Sequence, residues 1–181
     1  MDFLSFSPTV NILEIATSLF SVDKDKAARE ENAKLLLKRL YVECRQNLDV
    51  LNLVKLDEVN SQNFKAVKAI APLLKNETGQ LILLGSPECL EKINIIQEEL
   101  DDKDMLGCGE DNQETFEKAK TLKEAIVFCV NKIEILKNYA NIPEDCSELF
   151  TTLTLSTRLK NIICYTRQIA DSIRNSSYFV E

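Results

Sequence analysis

Histidine is missing from this chain of 181 residues, and its absence removes a large part of enzyme chemistry. Histidine is the usual general base near neutral pH and the commonest metal-binding side chain. Without it, neither a Ser–His–Asp triad nor a Cys–His pair can form, and the Glu-x-x-His motif of di-iron bundles is excluded as well. The sequence therefore favours a non-catalytic protein over an enzyme, and it leaves enzymatic activity an open question.

Binding motifs rich in glycine or cysteine are missing too. The chain has four glycines, and it contains no GxGxxG or Walker-type sequence that could hold a phosphate group. Its six cysteines are spread along the sequence without a CxxC pair, so the usual spacing of a tetrahedral zinc site is absent. We therefore predict no cofactor.

Signals for membrane insertion and secretion are also lacking. No apolar run approaches the roughly 20 residues that a helix needs to cross a bilayer. The first apolar stretch is preceded by Asp2 and by no lysine or arginine, whereas a signal peptide begins with basic residues. We therefore expect a cytoplasmic protein whose cysteines are reduced thiols.

Apolar residues recur every three or four positions through most of the chain, which is the pattern of helices with one buried face. Three long helices are predicted, over about 23–56, 113–140 and 145–174, together with two or three shorter ones, among them 61–74 and 86–100. Strand alternation is absent, so the predicted fold class is all-α, an up-and-down helical bundle in a single domain, 1–181. The tail, 175–181, is expected to fray.

Each long helix has a stripe that is expected to face the core. The first stripe consists of Ala33, Leu37, Leu40, Cys44, Asn47, Leu51 and Val54. The second consists of Ala119, Leu122, Ile126, Cys129, Ile133, Leu136 and Ala140. The third consists of Leu155, Leu159, Ile162, Thr166, Ile169 and Ile173. Asn47 interrupts the first stripe, where it would either fix the packing register or turn to the edge.

The N-terminal segment, residues 1–20, is unusually apolar, with three phenylalanines and several leucines and isoleucines. Its only charged residues are Asp2 and Glu14, so it lacks the Lys and Arg that attract a helix to anionic lipid. Contact with a membrane surface is therefore not expected. We predict that the segment packs on the bundle or on a second subunit, and a homodimer is compatible with the second choice.

The acidic stretch 101–114 holds the best candidate metal ligands, Asp102, Asp104 and Glu110. Counted from Asp102, a glycine falls at the sixth place of an EF-hand-like loop and Glu110 at the ninth. However, Leu106 stands at the fifth place and Gln113 at the twelfth, where the motif needs a bidentate carboxylate. Ca²⁺ or Mg²⁺ binding, including a metal-dependent activity, stays an alternative to a solvated acidic loop.

Basic residues stand seven apart on the last predicted helix, at Lys160, Arg167 and Arg174. They contrast with the rest of the chain, whose formal net charge is −7. The stripe could meet an anionic partner, or it could pair with acids of the same chain. A nucleic acid requires more clustered positive charge than this, so nucleic-acid binding is the second alternative.

The function predicted from the sequence is that of a non-catalytic helical interaction or regulatory protein. It would act through protein–protein contacts, with a protein partner or with a second copy of itself. This prediction rests mainly on elimination, because no group of residues with suitable chemistry converges on one implied pocket.

Overall fold

The computed structural model describes residues 26–54, 64–85, 87–101, 119–141 and 152–179. All regular secondary structure in these ranges is helical. The six helices are α1 Lys26–Leu51, α2 Phe64–Ile70, α3 Glu77–Leu84, α4 Pro87–Asp101, α5 Leu122–Ala140 and α6 Thr152–Arg174. A 3-10 turn, Ala71–Leu73, follows α2. The predicted all-α fold is confirmed. Among the residues described, no helix combines the length and the apolar content that crossing a bilayer requires.

The last helix, α6, organises the bundle, because it packs most extensively against both α1 and α5. Helices α5 and α6 run antiparallel: Tyr139 near the end of α5 lies against Arg158 early in α6, whereas Phe128 meets Tyr165 farther along. Helices α3 and α4 lie on α1 and also contact α5. These contacts confirm the helix-bundle arrangement.

The three predicted stripes form the core of this bundle. Every member of the first and third stripes is buried, including the polar residues Asn47 and Thr166. In the second stripe six residues are buried, and Ala140 at its end is half-buried. Helix α4 adds Cys89, Ile93, Ile96 and Leu100 to the same core. The apolar spacing therefore identified the buried faces correctly.

The helix boundaries differ from the prediction in several places. Helix α1 ends at Leu51 and is followed by a turn over 52–54, so it does not continue to 56. Helix α5 begins at Leu122 and not near 113, because Thr121 is its N-cap and accepts a hydrogen bond from the Glu124 amide at 3.1 Å. The expected start of the last helix, 145–151, lies outside the described residues.

The prediction that the tail frays is wrong for residues 175–179. The Ser177 amide donates to the Glu99 carboxylate at 2.9 Å. The ring centroid of Phe179 lies 4.6 Å from that of Tyr41 on α1. Hydrogen bonding and aromatic packing thus fix this end of the chain against α1 and α4.

Gly79 allows α3 to approach α5 closely. A Cβ atom at position 79 would lie 2.6 Å from Cγ2 of Val130, well inside van der Waals contact. The methyl group of Val130 stands on a stiff β-branched side chain and cannot rotate away freely. The helix crossing therefore requires a residue without a side chain.

We expect Gly79→Ala to destabilise the protein, although alanine is the better helix former by about 1 kcal/mol. Overpacking against Val130 should cost about 1–3 kcal/mol and outweigh that gain. Val130→Ala alone leaves a cavity, yet in the Gly79→Ala background it should restore part of the loss. A double-mutant cycle on urea midpoints measures this coupling. A stabilised Gly79→Ala protein would show that the crossing of α3 and α5 has room for a Cβ atom at position 79.

Candidate functional site

Polar side chains, four of them buried, gather where α1, α3 and α5 meet. We call this group the polar junction, and its members are Glu43, Asn47, Lys75, Asn76, Thr78, Glu134 and Lys137. Among them, Glu43, Asn47, Asn76 and Thr78 are buried. A buried polar group is costly unless it is hydrogen-bonded, so the partners of these side chains decide whether the junction is a structural or a chemical site.

Asn47 binds the main chain of Lys75 through both ends of its amide. Its Nδ2 donates to the Lys75 carbonyl at 2.7 Å, and its Oδ1 accepts from the Lys75 amide at 2.7 Å. The expectation that Asn47 could turn to the edge is therefore wrong. Asn47 anchors the irregular segment 74–76, which connects the 3-10 turn to α3.

Glu43 extends from α1 to the beginning of α3 and caps it. The Thr78 amide donates to its carboxylate at 3.0 Å. Asn76, at the N-cap position of α3, makes no capping bond with its own side chain, so the glutamate of another helix takes that role. Burial raises the pKa of Glu43 above its usual value, and hydrogen bonds from Thr78 and Gly79 oppose part of this rise.

Asn76 connects the same segment to α5. Its Nδ2 donates to the Glu134 carboxylate at 3.0 Å, and its Oδ1 accepts from Nζ of Lys137 at 2.7 Å. Lys137 also lies 3.8 Å from the Glu77 carboxylate. The segment 74–76 is thus held from two sides, by α1 and by α5.

Two buried thiols, Cys44 and Cys129, line a cavity beside the junction. Burial raises the pKa of Cys129 to about 12 and that of Cys44 well above its usual value. Cys129 Sγ lies 3.3 Å from the Thr166 hydroxyl, within hydrogen-bond distance. Because only the thiolate is a good nucleophile, both cysteines remain inert thiols at neutral pH.

The cavity is too small for a substrate. Its volume is about 10 Å³, which is the room of a single water molecule, whereas pockets for small molecules measure roughly 300–1,000 Å³. Its polar lining, Glu43, Asn47 and Asn76, is already engaged in the hydrogen bonds described above. The hydrogen bonds of the polar junction therefore position helices.

The residues predicted to bind a partner lie on the outer side of α6. Arg167 and Arg174 are exposed and Lys160 is half-buried. Within the described ranges, none of the three forms an ion pair. Seven-residue spacing keeps them on one face of the helix, so the three side chains form one basic stripe along α6.

The predicted metal ligands, Asp102, Asp104 and Glu110, lie outside the described residues. Within those residues, no group of three or more Cys, Asp or Glu side chains is arranged to hold a metal ion. Calcium or magnesium binding by the 101–114 stretch therefore stays a prediction.

The expectation that all cysteines are reduced is wrong for Cys164. This residue is disulfide-bonded, and its partner lies outside the described residues. Three cysteines, Cys44, Cys89 and Cys129, are buried free thiols as expected. Cysteine spacing alone does not determine pairing, so this bond could not be predicted from a single sequence.

Comparison with known proteins adds no further information. No protein-family model matches the chain, and neither a curated protein nor a solved structure is significantly similar to it. The function must therefore be argued from the geometry of the chain.

We expect Asn47→Ala to destabilise the protein by about 2–4 kcal/mol, because it leaves the N–H and C=O groups of Lys75 without partners. Gln46→Ala is the matched control. It removes only the exposed hydrogen bond from Nζ of Lys75 and should change stability by less than about 0.5 kcal/mol. Urea unfolding of both variants tests this. Equal changes in the free energy of unfolding of the two variants would mean that the hydrogen bonds of Asn47 to the segment 74–76 add little to stability.

Glu43→Gln should change how stability depends on pH. Since the pKa of Glu43 is raised in the folded chain, its contribution to stability is fully present below the unfolded pKa, near 4.5, and is lost as the pH rises through the folded pKa. Glutamine does not titrate, so the variant should gain stability relative to the native chain over the range from pH 4.5 upward, as Glu43 ionises in the native chain. Urea midpoints across that range provide the measurement, and parallel profiles would contradict the prediction.

Proposed function

We propose that this chain is a non-catalytic helical interaction protein that acts through protein–protein contacts and associates with a second copy of itself. The proposal rests on the difference between the described core and the described surface. A cavity in the described core has room for about one water, while large apolar side chains lie exposed at the surface. They are Leu35, Val42, Leu53, Leu73, Leu84 and Ile135.

Leu73 and Leu84 are the best candidates for contact with a second copy. Their side chains are 56% and 78% exposed. Leu73 ends the 3-10 turn and Leu84 ends α3, so both flank the part of the chain that the polar junction fixes. Burying a leucine contributes about 1.5–3 kcal/mol, and a rigid backbone lowers the entropic cost of presenting it.

An anionic partner is the second candidate function. It is supported by the basic stripe, because Lys160, Arg167 and Arg174 have no ion-pair partner within the described ranges. An acidic protein surface fits three spaced cations better than a nucleic acid does, since nucleic acids demand a denser positive patch. Charge reversal of all three residues should abolish a salt-dependent complex of either kind.

Sedimentation velocity over a range of protein concentrations tests self-association. We expect the native chain to form a dimer, and Leu73→Glu/Leu84→Glu to shift it to a monomer by placing charges in the contact. The matched control is Lys160→Glu/Arg167→Glu, which changes exposed or half-buried charges on α6 and should leave the dimer intact. Unchanged melting temperatures would show that both variants are folded.

Two results would overturn the proposal in different ways. A native chain that stays monomeric at every concentration rules out self-association. A dimer that persists in Leu73→Glu/Leu84→Glu excludes these leucines as its contact.

A further inference from the structure

Residues 175–179 leave the end of α6 and lie against α1 and α4. We call these five residues the strap. The main-chain amide of Ser177 donates to the Glu99 carboxylate of α4 at 2.9 Å, and the Ser177 hydroxyl donates to the same carboxylate. Ser177 therefore joins the strap to α4 through two hydrogen bonds that share one acceptor group.

The next two residues of the strap add ring contacts. Nζ of Lys92 on α4 lies 5.3 Å from the ring centroid of Tyr178. The Phe179 ring packs on Tyr41 of α1, and all three rings are half-buried. A surface segment held by few contacts opens locally at a lower free energy than the core does. The strap can therefore undock while the bundle stays folded.

The two serines of the strap differ in access. Ser176 is 1% exposed, and its hydroxyl donates to the Ile173 carbonyl at 2.6 Å in the last turn of α6. Ser177 is exposed. An enzyme that modifies a serine must reach the hydroxyl oxygen, so Ser177 is the modifiable residue of the pair.

Arg174 stands three residues before Ser177 and is exposed as well. In the whole sequence, it is the only arginine that has a serine or threonine three residues after it. Arg-directed serine kinases select substrates by charge, and an arginine three residues before the serine is the feature that they read. Access and sequence thus single out the same hydroxyl group.

We propose that Ser177 is a phosphorylation site for an Arg-directed serine kinase and that the phosphate releases the strap from α1 and α4. Oγ of Ser177 attacks the γ-phosphorus of ATP. The Oγ–P bond forms while the bond from that phosphorus to the bridging oxygen of ADP breaks, and the hydroxyl proton passes to a base of the kinase. The inference does not rest on the proposed function, because the strap contains neither Leu73 nor Leu84.

Phosphate turns the attraction between Ser177 and Glu99 into repulsion. The hydroxyl loses the proton that it donates, and the ester carries a charge of about −1.5 to −2 at pH 7. Two anions then face each other where a hydrogen bond stood. Lys92 is a cation of the same helix, but it stands seven residues before Glu99, about 10 Å along the helix axis. The phosphate is therefore placed beside Glu99 first.

Phosphorylation of the full chain in vitro tests the assignment of the site. The isolated catalytic domain of a calmodulin-dependent protein kinase, which is Arg-directed, is supplied with Mg²⁺ and ATP, and mass spectrometry maps the phosphate. We expect phosphate on Ser177, and incorporation slower by about tenfold or more in Arg174→Gln. Arg167→Gln changes another exposed arginine of α6 and is the matched control, which should keep the native rate.

Two results would overturn the assignment. A chain that gains no phosphate on Ser177, while a control peptide substrate is phosphorylated in the same reaction, shows that the kinase does not accept this serine. Equal rates in Arg174→Gln and Arg167→Gln show that the arginine before Ser177 is not read.

Hydrogen–deuterium exchange of the phosphorylated chain tests the release of the strap. Amides of residues 177–179 should exchange faster than in the unmodified chain by about tenfold or more. In Glu99→Gln the phosphate meets no carboxylate at position 99, so the acceleration should be smaller. Glu98→Gln, at the exposed neighbour of Glu99, is the matched control and should keep the full acceleration. Unchanged exchange in α5 verifies the fold of each variant.

Two exchange results would contradict the release. Exchange that stays the same or slows after phosphorylation means that the strap remains docked, with the phosphate held by a cation such as Lys92. Equal acceleration in the native chain and in Glu99→Gln means that repulsion from Glu99 does not drive the release.

Discussion

The paired hydrogen bonds between the Asn47 amide and the main chain of Lys75 determine how the middle of the molecule is built. They hold the segment 74–76 on α1, and that segment leads directly into α3. A helix of eight residues is unstable alone, so α3 depends on this anchor and on the cap from Glu43. Once α3 is held there, Gly79 can lie against Val130 and complete the contact with α5.

The same interactions restrict where function can reside. Glu43, Asn47 and Asn76 use their polar atoms to join helices, and the neighbouring cavity has a volume of about 10 Å³. A carboxylate that receives main-chain amides serves as a helix cap, and a thiol whose pKa is raised to about 12 is a poor nucleophile. The polar groups of this part of the interior are therefore committed to stability.

Sequence pattern predicted the fold class and nearly all of the buried stripes, because apolar spacing directly reflects which helix face is removed from water. It did not predict the polar junction. Asn47 was visible as an interruption of the first stripe, but its partner is a main-chain group 28 residues away, and a single sequence holds no record of such a pair. The start of α5 could have been found, since Thr121 and Glu124 have the spacing of a capping box.

Burial also explains how one chain carries both free thiols and a disulfide. Disulfides exchange when a thiolate attacks one of their sulfur atoms. Cys44 and Cys129 lie in the core, where burial raises their pKa values far above neutrality, so they supply almost no thiolate. Cys164 stands on the less buried side of α6, between Lys160 and Arg167, and it is the described cysteine that is disulfide-bonded. The core thus keeps its thiols from rearranging the bond that Cys164 makes.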